Sequence, residues 1–146
     1  MMSREKPIIV MADDDDDDCM LATEAFEESR AEGVFSCVQD GLELMDYLLR
    51  SSNNENETHA SLPALILLDL NMPRKDGREV LKEIKSDPAF QNIPIVVLST
   101  SREEEDIAFS LRMGANFFIT KPATFDEWVE MIQSLARDWL STDPHK

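Results

Sequence analysis

The sequence predicts an α/β domain in which a five-stranded parallel sheet is doubly wound with five helices. Three observations lead to that class. Five short apolar runs alternate with five segments of helical apolar spacing. The central runs are continuously apolar rather than alternating, as strands covered on both faces are. Reactive side chains follow four of the five runs directly: Asp13-Asp14, Asp69, Ser99 and Lys121. That is the carboxyl edge at which open parallel sheets gather ligands and chemistry.

A chain of 146 residues, 42% hydrophobic, can bury a continuous core without metal or disulfide staples. One domain over residues 1–146, with its core at about 7–140, is therefore expected, with no output domain. The formal charge of -16, from 30 acidic against 14 basic residues, disfavours unspecific binding to nucleic acid or anionic membrane and favours cations or basic surfaces as partners. Cys19 and Cys37 lack a C-x-x-C pairing and a nearby histidine, which reads as structural thiols in a reducing compartment. Residues 1–6 precede no hydrophobic h-region, and the run from Ile8 to Ala12 is far too short to span a bilayer. A cytoplasmic location follows as an expectation.

The first strand, Pro7 to Ala12, is β-branched and apolar and stops at six consecutive aspartates, Asp13 to Asp18. An aspartate near Asp15 can cap the next helix, and those after it favour the positive end of the helix dipole. Asp13 and Asp14 are left at the strand end. Two adjacent carboxylates repel, and a bound cation would relieve them; magnesium, which takes oxygen ligands, fits. Cys19, Ala22, Ala25 and Phe26 then repeat at helical spacing. The second strand runs from Val34 to Gln39, and Asp40-Gly41 opens a short helix carrying Leu44, Met45, Leu48 and Leu49. Ser51 to Ser61 is polar and aperiodic and reads as an exposed loop. His59 within it has no second ligand near in sequence, so it reads as a solvated side chain.

The third strand, Leu65 to Leu68, ends at Asp69, and Asn71-Met72-Pro73 with Asp76-Gly77 supplies the turn. A strand-end aspartate can simply begin that turn; it is also the first candidate for a reacting group. Val80, Leu81 and Ile84 mark one helical face, closed by Ser86-Asp87-Pro88. The fourth strand, Pro94 to Leu98, leads to Ser99-Thr100-Ser101, whose hydroxyls can hydrogen-bond an anionic oxygen. Ser101 with Glu104 equally has the form of a capping box. A charged helix from Glu103 to Met113 is closed by Gly114 as its C-cap. The fifth strand, Phe117 to Thr120, ends at Lys121-Pro122, where a lysine offers a point charge to a phosphate oxygen. The last helix, Phe125 to about Leu140, carries Trp128, Val129, Ile132, Leu135, Ala136, Trp139 and Leu140, more apolar positions than one buried stripe requires. They form either a thick core-facing side or a surface for a partner.

Two metal-binding carboxylates, an isolated carboxylate, a hydroxyl and a lysine at one sheet edge suit phosphoryl transfer onto Asp69, which attacks as nucleophile and becomes an acyl phosphate. Together, Asp13-Asp14, Asp69 in Leu-Leu-Asp-Leu-Asn-Met-Pro, Ser99 and Lys121-Pro122 resemble the receiver domain of bacterial response regulators, over about Ile8 to Leu140. The resemblance implies a flavodoxin-like fold with strand order 2-1-3-4-5. It implies that Asp14 and Asp69 coordinate Mg2+ (or Mn2+) directly, with Asp13 acting through water and Asn71 through its backbone carbonyl. It further implies that Ser99 and Lys121 hold the phosphoryl group, that Ser99 and Phe118 act as the switch pair, and that the bond to Pro122 is cis.

Ser99 stands where threonine is frequent in the family, and Phe118 lacks the hydroxyl of a switch tyrosine. The loop at Ser51 to Ser61, with the stretch from Pro73 to Leu81, resembles stand-alone regulators paired with bacterial phytochrome kinases. That likeness implies a homodimer through the fourth helix, fifth strand and fifth helix. The expected function is to accept a phosphoryl group from a sensor histidine kinase and to signal through altered protein binding, without acting as a turnover enzyme. The alternative is a phosphorylation-independent dimeric scaffold with a vestigial pocket. A dehalogenase-type phosphatase would need a second carboxylate where Asn71 stands, and so lacks its general acid.

Overall fold

A computed structural model describes residues 6–53, 62–72 and 75–140. The loop expected up to Ser61 therefore lies largely outside the described residues, with His59 and Pro73. The elements alternate strictly: β1 (Ile8–Ala12), α1 (Asp16–Ser29), β2 (Val34–Val38), α2 (Gly41–Asn53), β3 (Leu65–Leu68), α3 (Gly77–Ser86), β4 (Ile95–Ser99), α4 (Glu104–Arg112), β5 (Phe117–Thr120) and α5 (Phe125–Trp139). The strands form one parallel sheet in the order β2-β1-β3-β4-β5.

Alternation of side chains along each strand divides the core into two layers. Val10, Ala12, Ile66, Leu68, Ile95 and Val97 pack beneath Leu44 and Leu48 of α2 and Val80, Leu81 and Ile84 of α3. Ile9, Met11, Leu65, Leu67, Val96 and Leu98 pack on the other face, against Ala22 and Phe26 of α1 and Trp128 and Ile132 of α5. Every residue of β3 is fully buried, which is why this strand is apolar throughout. At about 1.5–3 kcal/mol for each large side chain taken out of water, the strand anchors the segment that carries Asp69. Trp128 lies in the same layer and is itself buried, so much of α5's wide apolar side faces the core.

Four local expectations are corrected. The Lys121–Pro122 bond is trans, since no peptide among the described residues is cis; an X–Pro bond keeps an intrinsic trans preference of about 0.5–1 kcal/mol. Cys19 and Cys37 are joined as a disulfide with Cα atoms 6.2 Å apart, not held as separate thiols. Their separation hides the pairing in the sequence, but the parallel β1-α1-β2 crossover brings the first turn of α1 beside β2. Helix α2 continues to Asn53, past the expected loop start at Ser51, because no proline or glycine stops it. Gly114 sits one residue beyond the C-cap of α4, which is Met113, and has a φ of 114°. This is the left-handed position at which glycine is favoured.

Candidate phosphoacceptor site

The β1 and β3 ladders end together and bring the carboxylates into register. Asp13 donates its backbone N–H to the Val38 carbonyl at 3.0 Å, and Asp69 donates its own to the Ala12 carbonyl at 3.0 Å. Both side chains are buried, at 0% and 6% exposure. Asp15 caps α1, as its position beyond the strand end predicts, accepting the N–H groups of Asp17 at 2.9 Å and Asp18 at 3.2 Å. At the far side of β3, Gly77 opens α3 and donates to the Leu70 carbonyl at 2.9 Å. A Cβ here would collide with the Asp69 carbonyl oxygen and lie 2.7 Å from Leu70 Cα. Glycine is needed for this close approach, which seats α3 against the strand end.

Oxygens of Asp13, Asp14 and Asp69 lie within 4.8 Å of one another. The Lys121 ammonium faces them, 2.8 Å from Asp13 Oδ2, 2.8 Å from Asp18 Oδ2 and 3.7 Å from Asp69 Oδ2. The Asp18 contact is an aligned hydrogen bond. The Asp13 contact is an equally short ion pair with less favourable hydrogen-bond geometry, which compensates the charge of the buried Asp13 carboxylate. Lys121 is held in place by its backbone N–H, which donates to the Ser99 carbonyl at 2.9 Å and extends the β4–β5 ladder.

Burial pushes the Asp69 carboxyl up to about 6, reinforced by the charges of Asp13 and Asp14 and opposed by Lys121 and the Asn71 N–H. Burial likewise raises Asp13, against the lowering effects of Lys121 and the Asp15 N–H. Burial alone would lower Lys121, but the carboxylates of Asp13, Asp18 and Asp69 outweigh it and raise its pKa. The site is thus an acidic pocket short of positive charge. Three converging carboxylates, two of them buried, are the donor set a hard divalent cation takes.

The other expected residues are in differing states. Asn71 donates its N–H to Asp69 Oδ1 at 3.3 Å. Ser99 is fully buried at the end of β4, and its Oγ accepts the Ser101 N–H at 3.1 Å. Phe118 is half-buried and packs against the layer beneath α2 and α3. The capping box does not form: Glu103 is the N-cap of α4 without a side-chain bond. Ser101 instead donates its hydroxyl to Asp106 Oδ2 at 2.7 Å, and Asp106 Oδ1 receives Arg78 Nη2 at 3.1 Å. The Ser101 hydroxyl and the Arg78 guanidinium hold the Asp106 carboxyl below its usual range.

Asp18, Arg78 and Asp106 are not marked by motif or spacing. Asp18 is one of six identical neighbours, and Arg78 and Asp106 lie on different helices. The only sequence signal for Asp18 is its place in the first turn of a helix that starts at the reactive edge.

Fold and site define a class: a doubly wound domain that presents a buried strand-end carboxylate, flanked by an acidic pair and a lysine, to a phosphoryl donor. Comparison with known proteins makes the class specific. Residues 9–133 match the model of the response regulator receiver domain. Response regulator Rcp1 of Synechocystis sp. is 37% identical over 140 residues, covering 96% of this chain and 93% of its own. Among solved structures, the phosphorylated cyanobacterial phytochrome response regulator RcpA superposes with a TM-score of 0.82 at 43% identity, over 94% of this chain and 96% of that one. The Mn2+-bound form of Rcp1 gives 0.79 at 37%, with the same coverage.

The chain belongs to the response regulator receiver family. It is a two-component signalling domain whose state is set by phosphorylation, whose chemistry uses Mg2+ or Mn2+, and whose upstream partner is a histidine kinase. Among the described residues no helix is long and apolar enough to cross a membrane.

Proposed function

We propose that Asp69 is the phosphoacceptor and that this chain is a cytoplasmic regulator, partnered by a phytochrome-type sensor kinase, whose output is altered protein binding. The supporting observation is the Asp69 carboxylate itself, buried at the end of β3 with the Lys121 ammonium 3.7 Å away. In the reaction an Asp69 oxygen attacks the phosphorus of a phosphohistidine. The N–P bond breaks as the O–P bond forms, and the histidine nitrogen takes up a proton. Asp14 and Asp69, with the Asn71 carbonyl and Asp13 through water, would hold the divalent cation, which offsets charge on the transferring oxygens. Lys121 and the Ser99 hydroxyl bind the phosphoryl oxygens once it has arrived. The domain carries out this self-modification and its reversal, and is not a turnover enzyme.

Ser99 moving to meet the phosphoryl group would draw on the β4–α4 connection and Phe118, and so alter the surface of α4, β5 and α5. A homodimer through those elements belongs to the same reading. Leu111, Phe117 and Phe125 are large apolar residues exposed there, Phe117 by 54% and edge-on to Trp139 at 6.4 Å.

The test is intact mass after incubation with acetyl phosphate and Mg2+, followed by sizing. Wild type is expected to gain one phosphoryl group and Asp69→Asn none. A labelled Asp69→Asn protein refutes the assignment, and a labelled wild type of unchanged size refutes assembly as the output.

A further inference from the structure

Lys121 has to place one N–H donor on a phosphoryl oxygen bound to Asp69, yet its flexible four-carbon stem does not fix the ammonium by itself. An ammonium offers three donors. One is spent on an aligned hydrogen bond at 2.8 Å to Asp18 Oδ2, across 103 residues of sequence. Asp13 Oδ2 is equally close but in less favourable hydrogen-bond geometry, and Asp69 Oδ2 at 3.7 Å lies beyond hydrogen-bond reach. Lys121 and Asp18 side chains are 9% and 21% exposed, so the pair is shielded from solvent. Asp18 stands on the first turn of α1, fixed by its own N–H to the Asp15 cap. It is not part of the Asp13, Asp14 and Asp69 cluster.

We propose that Asp18 is the positioning residue for Lys121: it anchors the ammonium at the rim of the site so that a remaining donor faces the oxygens of a phosphoryl group on Asp69. Asp13 is the weaker anchor once metal is bound, because a divalent cation in the carboxylate cluster competes with Lys121 for its charge. Asp18 stands outside that cluster, so a cation there does not compete for its bond to Lys121. The aspartate run therefore has three separate tasks: Asp13 and Asp14 at the strand end, Asp15 as helix cap, and Asp18 as the hold on Lys121. This inference rests on Asp69 being the phosphoacceptor.

The experiment follows Asp69 phosphorylation over time by intact mass, with acetyl phosphate and Mg2+ at fixed concentrations, in wild type, Asp18→Asn and Asp18→Ala. Calorimetric Mg2+ titration and urea unfolding accompany it. Loss of positioning is expected to slow phosphorylation of Asp18→Ala at least about tenfold. Asp18→Asn, which keeps an acceptor oxygen without the charge, falls between the two, and Mg2+ affinity changes less than about threefold in both. A purely helix-stabilising Asp18 would lower the unfolding midpoint without this graded loss of rate.

Equal or faster phosphorylation of Asp18→Ala overturns the proposal; faster transfer would make Asp18 a competitor for Lys121 instead. If Asp18→Ala does not fold, Asp18→Asn carries the test, and a wild-type rate in it overturns the proposal. Absence of any adduct in wild type overturns the phosphoacceptor reading instead, so the two failures are distinct.

Discussion

Replacing Asp69 by asparagine should stabilise the metal-free protein at neutral pH. Its carboxyl titrates near 6 in the folded chain against an ordinary value of 3.8, chiefly because it is buried. At 1.36 kcal/mol for each pH unit, an ionised Asp69 disfavours the fold by about 3 kcal/mol once the pH is well above 6. The sign follows from proton binding. Between 3.8 and 6 Asp69 binds more proton in the folded state than in the unfolded one, so its contribution is most favourable below 3.8 and falls as pH rises through 6. Asp13 is raised for the same reason and adds to the slope. Lys121, raised in turn, keeps its proton throughout this window and adds no slope.

An asparagine side chain cannot ionise, so Asp69→Asn should lose Asp69's share of this slope. In EDTA at pH 7.5 its urea midpoint should lie higher than wild type by about 1–2 M, for a slope near 2 kcal/mol/M. At pH 4 the two proteins should nearly coincide. Saturating Mg2+ should raise wild type, which keeps the full carboxylate cluster, more than the variant. An Asp69→Asn protein that is equally or less stable than wild type in EDTA at pH 7.5 would refute the electrostatic account of the site.

Gly77→Ala should destabilise by roughly 1–3 kcal/mol, seen as a lower urea midpoint, because its Cβ meets the Asp69 carbonyl and Leu70 Cα. The displaced strand end should also slow phosphorylation. Asp15→Ala removes the cap from two N–H groups of α1 and should lower stability by about 1 kcal/mol, with a smaller loss for Asp15→Asn. Asp106→Asn weakens the link from Ser101 to Arg78. It should leave the rate of Asp69 phosphorylation within about threefold of wild type while altering any phosphorylation-dependent size change measured by sedimentation. An identical size response would show that Asp106 has no part in transmission.

The central strands were legible because their burial on both faces leaves almost no polar residue to blur the edges: β3 and β4 fall within one residue of the apolar runs. Asp13 and Asp69 were legible for the same reason, since each is the first polar side chain after such a run, and Lys121 because it directly follows the fifth strand. Contacts set by tertiary approach were not. Lys121 and Asp18 meet only because the ends of β1 and β5 open on the same edge of the sheet. Cys19 meets Cys37 only because α1 returns to lie over β2. Ser101 shows a local pattern overruled: its spacing to Glu104 has the form of a capping box, but the Asp106 carboxylate, anchored by Arg78, accepts its hydroxyl instead. Neither charge nor periodicity along one helix contains that information.

These contacts join the proposed phosphoacceptor site to α4. Ser99 is buried and its Oγ accepts the Ser101 N–H. Any motion of Ser99 toward a phosphoryl group therefore pulls on a residue whose own hydroxyl is bonded to α4 through Asp106. Arg78 opposes that pull from α3, with a second contact to Asp76, the N-cap of that helix. Gly77, the next residue, touches the Asp69 backbone. Displacement at Asp69 or Ser99 thus reaches the same ion pair by two routes, one through α3 and one through the β4–α4 connection. Packed elements with two arrangements amplify small shifts rather than absorb them. The Arg78–Asp106 pair is partly exposed, at 33% and 25%, and so is weak enough to exchange partners. A buried pair would fasten α4 too firmly for a single phosphoryl group to move it.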